Sequence, residues 1–109
     1  MSKGSDIGEV LERLSTLIES RKQADATSSY TAQLLQSGKE RCAKKFGEEA
    51  VEAAIAGAMG DQAALTEEAA DVLYHLLVLL ASNDVSLDDV AGGLSAREGV
   101  SGIEEKASR

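Results

Sequence analysis

Two acidic stretches contain the residue types and spacing that could bind a metal ion. The first includes Glu49 and Glu52, and the second includes Glu68 and Asp71, so each has two carboxylates three residues apart. Residues three apart lie on one face of a helix, so each pair would present its carboxylates side by side. Carboxylate oxygens suit Mg²⁺ and Mn²⁺. The spacing therefore predicts a divalent-cation site, with Glu48 as a secondary ligand.

Two long helices are predicted to carry these pairs. No proline interrupts the chain, and apolar residues recur at helical spacing over residues 39–59 and 62–82, with a turn at Gly60 between them. Glu52 lies eight residues before Gly60, and Glu68 lies eight residues after it. Antiparallel helices would bring both pairs to the same height. We therefore expect four carboxylates to converge, which is unfavourable without protons or a cation.

Two other interpretations apply to these acidic residues. Charge runs on helices usually form a solvated face, but Glu68 and Asp71 lie on a stripe that continues through His75 into an apolar half-helix. That stripe should point inward at its apolar end. Iron is the second alternative, but di-iron bundles need a Glu-x-x-His step, whereas His75 follows Asp71 by four residues. Magnesium or manganese is the preferred ion.

The rest of the sequence also favours helices. Apolar residues at spacings of three and four predict a helix over residues 7–23, a shorter one over 30–36, and a last one that ends near Arg97. Ser86 and Asp89 resemble a capping pair for that last helix. Aromatic residues are rare, so the apolar volume comes from Leu, Val, Ile and Ala, which suits close-packed helices. We predict an all-α antiparallel bundle of about four to five helices.

The length of the chain bears on its domain organisation and assembly. A chain of 109 residues is enough for one domain, and it contains no repeat and no linker. We predict a single domain over residues 1–109 with a flexible tail over 98–109. So small a core leaves apolar faces uncovered. We therefore expect dimerisation to complete the bundle, in a homodimer or a higher homo-oligomer.

The charge and hydropathy of the chain limit its partners. The formal net charge is −8 and only 11 Lys and Arg are present, which argues against binding to nucleic acid. The longest clean apolar run, 76–81, is far shorter than the roughly 20 residues that span a bilayer, so we expect no membrane contact. The single cysteine, Cys42, and an N-terminus without an apolar stretch favour the cytoplasm.

Four strings of the sequence are similar to those of a known enzyme family. They are residues 29–31, 44–52, 68–78 and 101–109. The acidic pairs alone would indicate only the wider superfamily of all-α nucleotide pyrophosphatases, which includes MazG-like and dimeric dUTPase-like enzymes. The Tyr-His dipeptide after Asp71 and the Ser-Gly and Glu-Lys-Ala strings of the tail narrow the resemblance. The sequence thus resembles the phosphoribosyl-ATP pyrophosphohydrolase family of histidine biosynthesis.

The resemblance implies an activity and helps to assign site residues. The activity is hydrolysis of 1-(5-phosphoribosyl)-ATP to 1-(5-phosphoribosyl)-AMP and pyrophosphate, with Mg²⁺ required. Metal binding and catalysis are assigned to the four converging carboxylates, Glu49, Glu52, Glu68 and Asp71. Substrate binding is assigned to four basic residues, Lys45, Arg97, Lys106 and Arg109. One carboxylate that is not fully engaged with metal would accept the proton of the attacking water.

Alternatives to these assignments stay open at the level of the sequence. Lys45 could form a structural pair with a glutamate of its own helix, and the basic residues near the C-terminus could belong to a charge-mixed tail. His75 fits a hydrogen-bonded core position better than a place near the substrate. The protein could also be a house-cleaning pyrophosphatase of noncanonical nucleotides, or a non-catalytic helical adaptor that dimerises through its Leu-rich fourth helix.

Overall fold

The computed structural model describes residues 6–99 of the 109-residue chain as five helices with no strand among them. The prediction of an all-α protein is therefore confirmed. The helices are α1 (Ile7–Ser20), α2 (Tyr30–Gln36), α3 (Lys39–Ala58), α4 (Gln62–Ser82) and α5 (Leu87–Ser95). In the described part of the chain, no helix is long and apolar enough to cross a membrane.

Four of the five helices begin at a side chain that caps their free backbone N–H groups. The capping oxygens belong to Asp6, Ser29, Asp61 and Ser86, and each accepts a hydrogen bond from the N–H three residues later. The cap predicted at Ser86 is confirmed. Helix α3 begins differently, after Gly38, whose φ of 99° suits a residue without a Cβ atom.

Helices α3 and α4 form the main packing pair of the molecule. The chain reverses between them at Gly60, which has a φ of 72°, and the N–H of Asp61 donates to the carbonyl of Ala56 at 3.1 Å. This hydrogen bond closes the C-terminal end of α3, so the turn predicted at these positions is confirmed. Helix α1 packs on α4, and the short α2 contacts both α3 and α4.

The core lies at the end of the bundle away from this turn. It consists of Ile18, Leu34, Cys42, Leu77, Val78 and Ala81. Cys42 is a packing residue whose thiol donates to the carbonyl of Leu34 at 3.2 Å, and burial raises the pKa of that thiol. Three of the six core residues belong to the second half of α4, which agrees with the prediction that this half is buried.

Two predicted helix ends are too long. The first helix was expected to reach residue 23, but α1 ends at Ser20 because the N–H of Arg21 donates to Ile18, three residues back, in a tightened last turn. The next residue, Lys22, forms ion pairs of 2.9 Å with Glu19 and with Asp84. Helix α5 ends two residues before the predicted Arg97; its two consecutive glycines weaken its helical propensity.

Candidate metal centre

The antiparallel pairing of α3 and α4 brings acidic residues from both helices together. One carboxyl oxygen each from Glu49, Glu68 and Asp71 lies within 4.8 Å of the others, a grouping that could hold a metal ion. Glu49 and Glu68 are half-buried, whereas Asp71 is exposed. The structure therefore brings together three of the four carboxylates that the sequence assigned to the metal.

The fourth carboxylate, Glu52, lies beside this group. Its side chain reaches that of Glu49, and its negative charge also acts on Glu68. Asp71 reaches Glu68 in the same way across one turn of α4. Two carboxylates at hydrogen-bonding distance can share a proton. We call Glu49, Glu52, Glu68 and Asp71 the acidic cluster.

Two members of the acidic cluster, Glu49 and Glu68, have raised pKa values. The pKa of Glu49 is raised by partial burial, then by the charges of Glu52 and Asp71. The pKa of Glu68 is likewise raised by partial burial and then by Glu52 and Glu49. Like charges that lose hydration disfavour ionisation, so a divalent cation would relieve the repulsion. Four carboxylates and no nitrogen or sulfur donor fit a hard ion such as Mg²⁺ or Mn²⁺.

Glu48, the secondary ligand of the sequence prediction, lies outside the group of three. Its carboxylate pairs with the ammonium group of Lys45 at 3.3 Å. This contact raises the pKa of Lys45, as do the nearby phenol of Tyr30 and, more weakly, Glu49. The structural Lys–Glu pair therefore exists, and it holds the ammonium group at the edge of the acidic cluster. A role for Lys45 in substrate binding stays a prediction.

The other basic residues assigned to the substrate lie after the end of α5, and two of them lie beyond the described range. Arg97 is exposed in the turn that follows α5. Lys106 and Arg109 lie outside the described residues, as does most of the predicted tail over 98–109. Their assignments stay predictions.

His75 and its two tyrosine neighbours form an arrangement that sequence reasoning missed. His75 is only 7% exposed, and its ring meets Tyr74 and Tyr30 edge-on, with centroid distances of 4.9 Å and 6.5 Å. Burial and the charge of Lys45 lower its pKa. Its Nδ1 is buried with no hydrogen-bond partner among the described residues, so the expectation of a hydrogen-bonded core histidine is wrong on that atom.

The short string around Tyr30 attaches α2 to α4. The hydroxyl groups of Thr31 and Tyr74 lie 2.6 Å apart in a partly buried hydrogen bond. Ser29 caps α2 just before this contact, so a local hydrogen bond sets the start of α2 and a contact with α4 sets its position. The sequence contains one indication of this contact. Residues 29–31 and the Tyr-His dipeptide both belong to the strings that resemble the enzyme family.

A cavity of about 470 Å³ adjoins the acidic cluster on the side of the α3–α4 turn. Its apolar lining includes Ile55 and Met59, which are 54% and 78% exposed. Its acidic lining comprises Glu52, Asp61, Glu67 and Glu68. A second cavity of about 460 Å³ lies between α1 and the far end of α4, away from the acidic cluster.

Comparison with known proteins gives consistent matches. The family model described as Phosphoribosyl-ATP pyrophosphohydrolase matches residues 11–98. Proteins named phosphoribosyl-ATP pyrophosphatase from Cereibacter sphaeroides (strain ATCC 17029 / ATH 2.4.9) and Dinoroseobacter shibae are each 63% identical over 100 residues. These alignments cover 92% of this chain and 97% and 98% of those proteins. A protein of the same name from Paracoccus denitrificans is 62% identical over 99 residues, covering 91% of this chain and 92% of that protein.

Proposed function

Because the chain belongs to the phosphoribosyl-ATP pyrophosphohydrolase family, we propose that it hydrolyses 1-(5-phosphoribosyl)-ATP to 1-(5-phosphoribosyl)-AMP and pyrophosphate in histidine biosynthesis. The observation that supports this most directly is the convergence of Glu49, Glu68 and Asp71 from two helices. All three lie inside the matched range 11–98. A triphosphate and a cluster of carboxylates repel each other, so the reaction calls for a cation between them.

Mg²⁺ is the proposed ion, with Mn²⁺ as a substitute. Its ligands would be the four residues of the acidic cluster, with Glu48 in a secondary position. The chemistry that such an ion supplies is polarisation of a phosphoryl oxygen and a lower pKa for water. The chain itself contributes a carboxylate that accepts the proton of the attacking water.

Basic residues are proposed to bind the phosphate groups that the metal does not. Lys45 stands at the edge of the acidic cluster and can act as a point charge toward the polyphosphate. Arg97, Lys106 and Arg109 are proposed for the phosphate of the second ribose. That group requires positive charge from a chain whose formal net charge is −8.

The experiment that tests the function is release of pyrophosphate from phosphoribosyl-ATP with Mg²⁺, compared with ATP, with dUTP and with an EDTA control. We expect metal-dependent turnover of phosphoribosyl-ATP and little turnover of the other nucleotides. Turnover of dUTP or ATP instead would move the protein to the house-cleaning pyrophosphatases. No turnover of any nucleotide would favour the helical adaptor.

A homodimer or a higher homo-oligomer is the proposed assembly. Large hydrophobic side chains stay exposed on all five described helices, among them Ile7, Leu17, Tyr30, Val51, Leu65 and Leu94. Where exposed apolar side chains form a contiguous patch, that patch often marks a protein interface. Sedimentation at micromolar concentration should give at least twice the 11.4 kDa of one chain, and a single-chain mass would contradict the proposal. The cytoplasm is the proposed compartment, since ATP-derived substrates are made there.

A further inference from the structure

The acidic cluster has two flanks of different chemistry. On one flank lie the ammonium group of Lys45 and the half-exposed phenol of Tyr30. On the other flank lies the cavity with Ile55 and Met59, and two members of the cluster line that cavity as well. Along the α3–α4 pair, the surface therefore changes from a cationic end, over the acidic cluster, to an end that is both apolar and acidic.

This polarity would orient a nucleotide that lies along the α3–α4 pair. The β and γ phosphoryl groups are anions, so they are attracted to Lys45 and repelled by the carboxylates of the cavity. The base has apolar faces, and the exposed side chains of Ile55 and Met59 offer a surface for them. With the triphosphate over the acidic cluster, the base therefore lies in the cavity.

The cavity is lined by more carboxylates than those assigned to the metal. Glu67 lies outside the group of three carboxylates that could hold an ion. Asp61 lines the cavity too, but one of its oxygens caps α4. Glu67 is exposed and therefore available to a ligand.

A carboxylate in this cavity adds little binding free energy for neutral adenine. The base of phosphoribosyl-ATP differs from adenine in its charge. The second ribose of that substrate is attached to N1 of adenine, as its chemical name states. Substitution at N1 turns the N1–C6–amine unit into an amidine that binds a proton at neutral pH, so the ring carries a positive charge. A cationic flat base fits a cavity with both apolar and acidic side chains.

We propose that the cavity beside the acidic cluster binds the protonated, N1-substituted adenine of the substrate, and that Glu67 selects its positive charge over neutral adenine. This inference rests on the proposed function and adds the residue that distinguishes phosphoribosyl-ATP from ATP. Met59 supplies apolar contact with either base and so contributes affinity without contributing to the selection.

The test compares two ligands that differ by one methyl group at N1 and hence in the charge of the base; the Glu67→Gln variant separates the contribution of the charge from that of the methyl group. Calorimetry in Mg²⁺ measures the dissociation constants of 1-methyladenosine 5′-monophosphate, which is cationic, and of AMP, which is neutral. We expect the wild-type protein to prefer the methylated nucleotide by about fivefold, the ratio expected of an exposed ion pair. Glu67→Gln should abolish most of this preference. Met59→Ala should weaken the binding of both nucleotides by the same factor.

Glu12→Gln is the matched control, since it removes one exposed carboxylate from α1 and should leave the preference unchanged. Equal affinity of the wild-type protein for both nucleotides, or a preference that survives Glu67→Gln, would overturn the proposal. The absence of binding of either nucleotide would also overturn the proposal. That result is expected if a second copy of this chain covers the cavity. Turnover of phosphoribosyl-ATP without the preference refutes only this inference, whereas a Glu67-dependent preference without turnover refutes only the proposed function.

Discussion

The two halves of α4 belong to one continuous helix but differ in burial and charge. All four buried residues of α4 lie in its second half, from His75 to Ala81. Its first half carries Glu67, Glu68 and Asp71, and its hydrophobic Leu65 is 39% exposed. The second half gains stability from burial, whereas the first half carries charges that repel their neighbours on α3.

This division shows how a small bundle can tolerate an acidic cluster. The backbone hydrogen bonds of α4 continue through both halves, so the packed half holds the charged half in place. Burial of apolar side chains then offsets the repulsion between carboxylates. The repulsion within the acidic cluster can therefore persist, because the packed half of α4 supports the charged half.

The largest effect on stability should come from the packed half. Leu77 is 5% exposed, and Leu77→Ala should lower the free energy of unfolding by about 2–5 kcal/mol, since it removes buried methyl groups and leaves a cavity. The same substitution at Leu65, on the charged half, should cost less than half as much. Urea unfolding monitored by circular dichroism measures both. Equal losses would show that the two halves do not differ as described.

The next effect concerns activity and the charged half. Glu68→Gln keeps the shape of the side chain but removes a charge from the acidic cluster, so kcat should fall by at least about a hundredfold. Its helicity and unfolding midpoint should stay the same or rise, because a like charge is relieved. Glu12→Gln on α1 serves as the control and should keep full activity. A Glu68→Gln protein with normal kcat would remove this residue from the catalytic site.

A smaller effect should appear in the pH dependence of stability without metal. The unfolded pKa of a glutamate is about 4.3, and Glu49 and Glu68 titrate above their ordinary values in the folded protein. Between the unfolded pKa and the raised folded pKa values, the folded state therefore binds more protons than the unfolded state. The free energy of unfolding declines as the pH rises through this range. Urea unfolding in EDTA from about pH 4 to about pH 7 should show a shallower decline for Glu68→Gln than for the wild-type protein.

The smallest effect is expected at the far end of the packed half. The ammonium group of Lys22 joins Asp84 to the end of α1 at 2.9 Å and holds the pKa of Asp84 below its ordinary value. Asp84 has a φ of 58°, which asparagine also tolerates, so Asp84→Asn removes the charge and keeps the turn. The melting temperature should fall slightly at low salt, and about 0.5 M NaCl should remove the difference. A lower melting temperature that persists at this salt concentration would indicate an effect on the backbone instead of on the ion pair.

The sequence by itself determined the features that depend on neighbours along the chain. The number of helices, the cap at Ser86 and the turn at Gly60 follow from local hydrogen bonding and apolar spacing. The meeting of Glu49 with Asp71 was also predictable, because residues at equal distances from the turn lie at the same height on antiparallel helices, and Glu68 lies one turn from Asp71 on the same helix. The strings that resemble the enzyme family are likewise a property of the sequence alone.

Only the tertiary structure decided which side chains meet across helices. It placed Glu52 beside the group of three carboxylates and turned Glu48 toward Lys45, since side-chain rotamers and helix rotation decide such contacts. It also enclosed His75 between tyrosines from α2 and α4. Helical periodicity gives the face of a helix on which a residue lies. The partner that packs on that face depends on contacts between residues far apart along the chain.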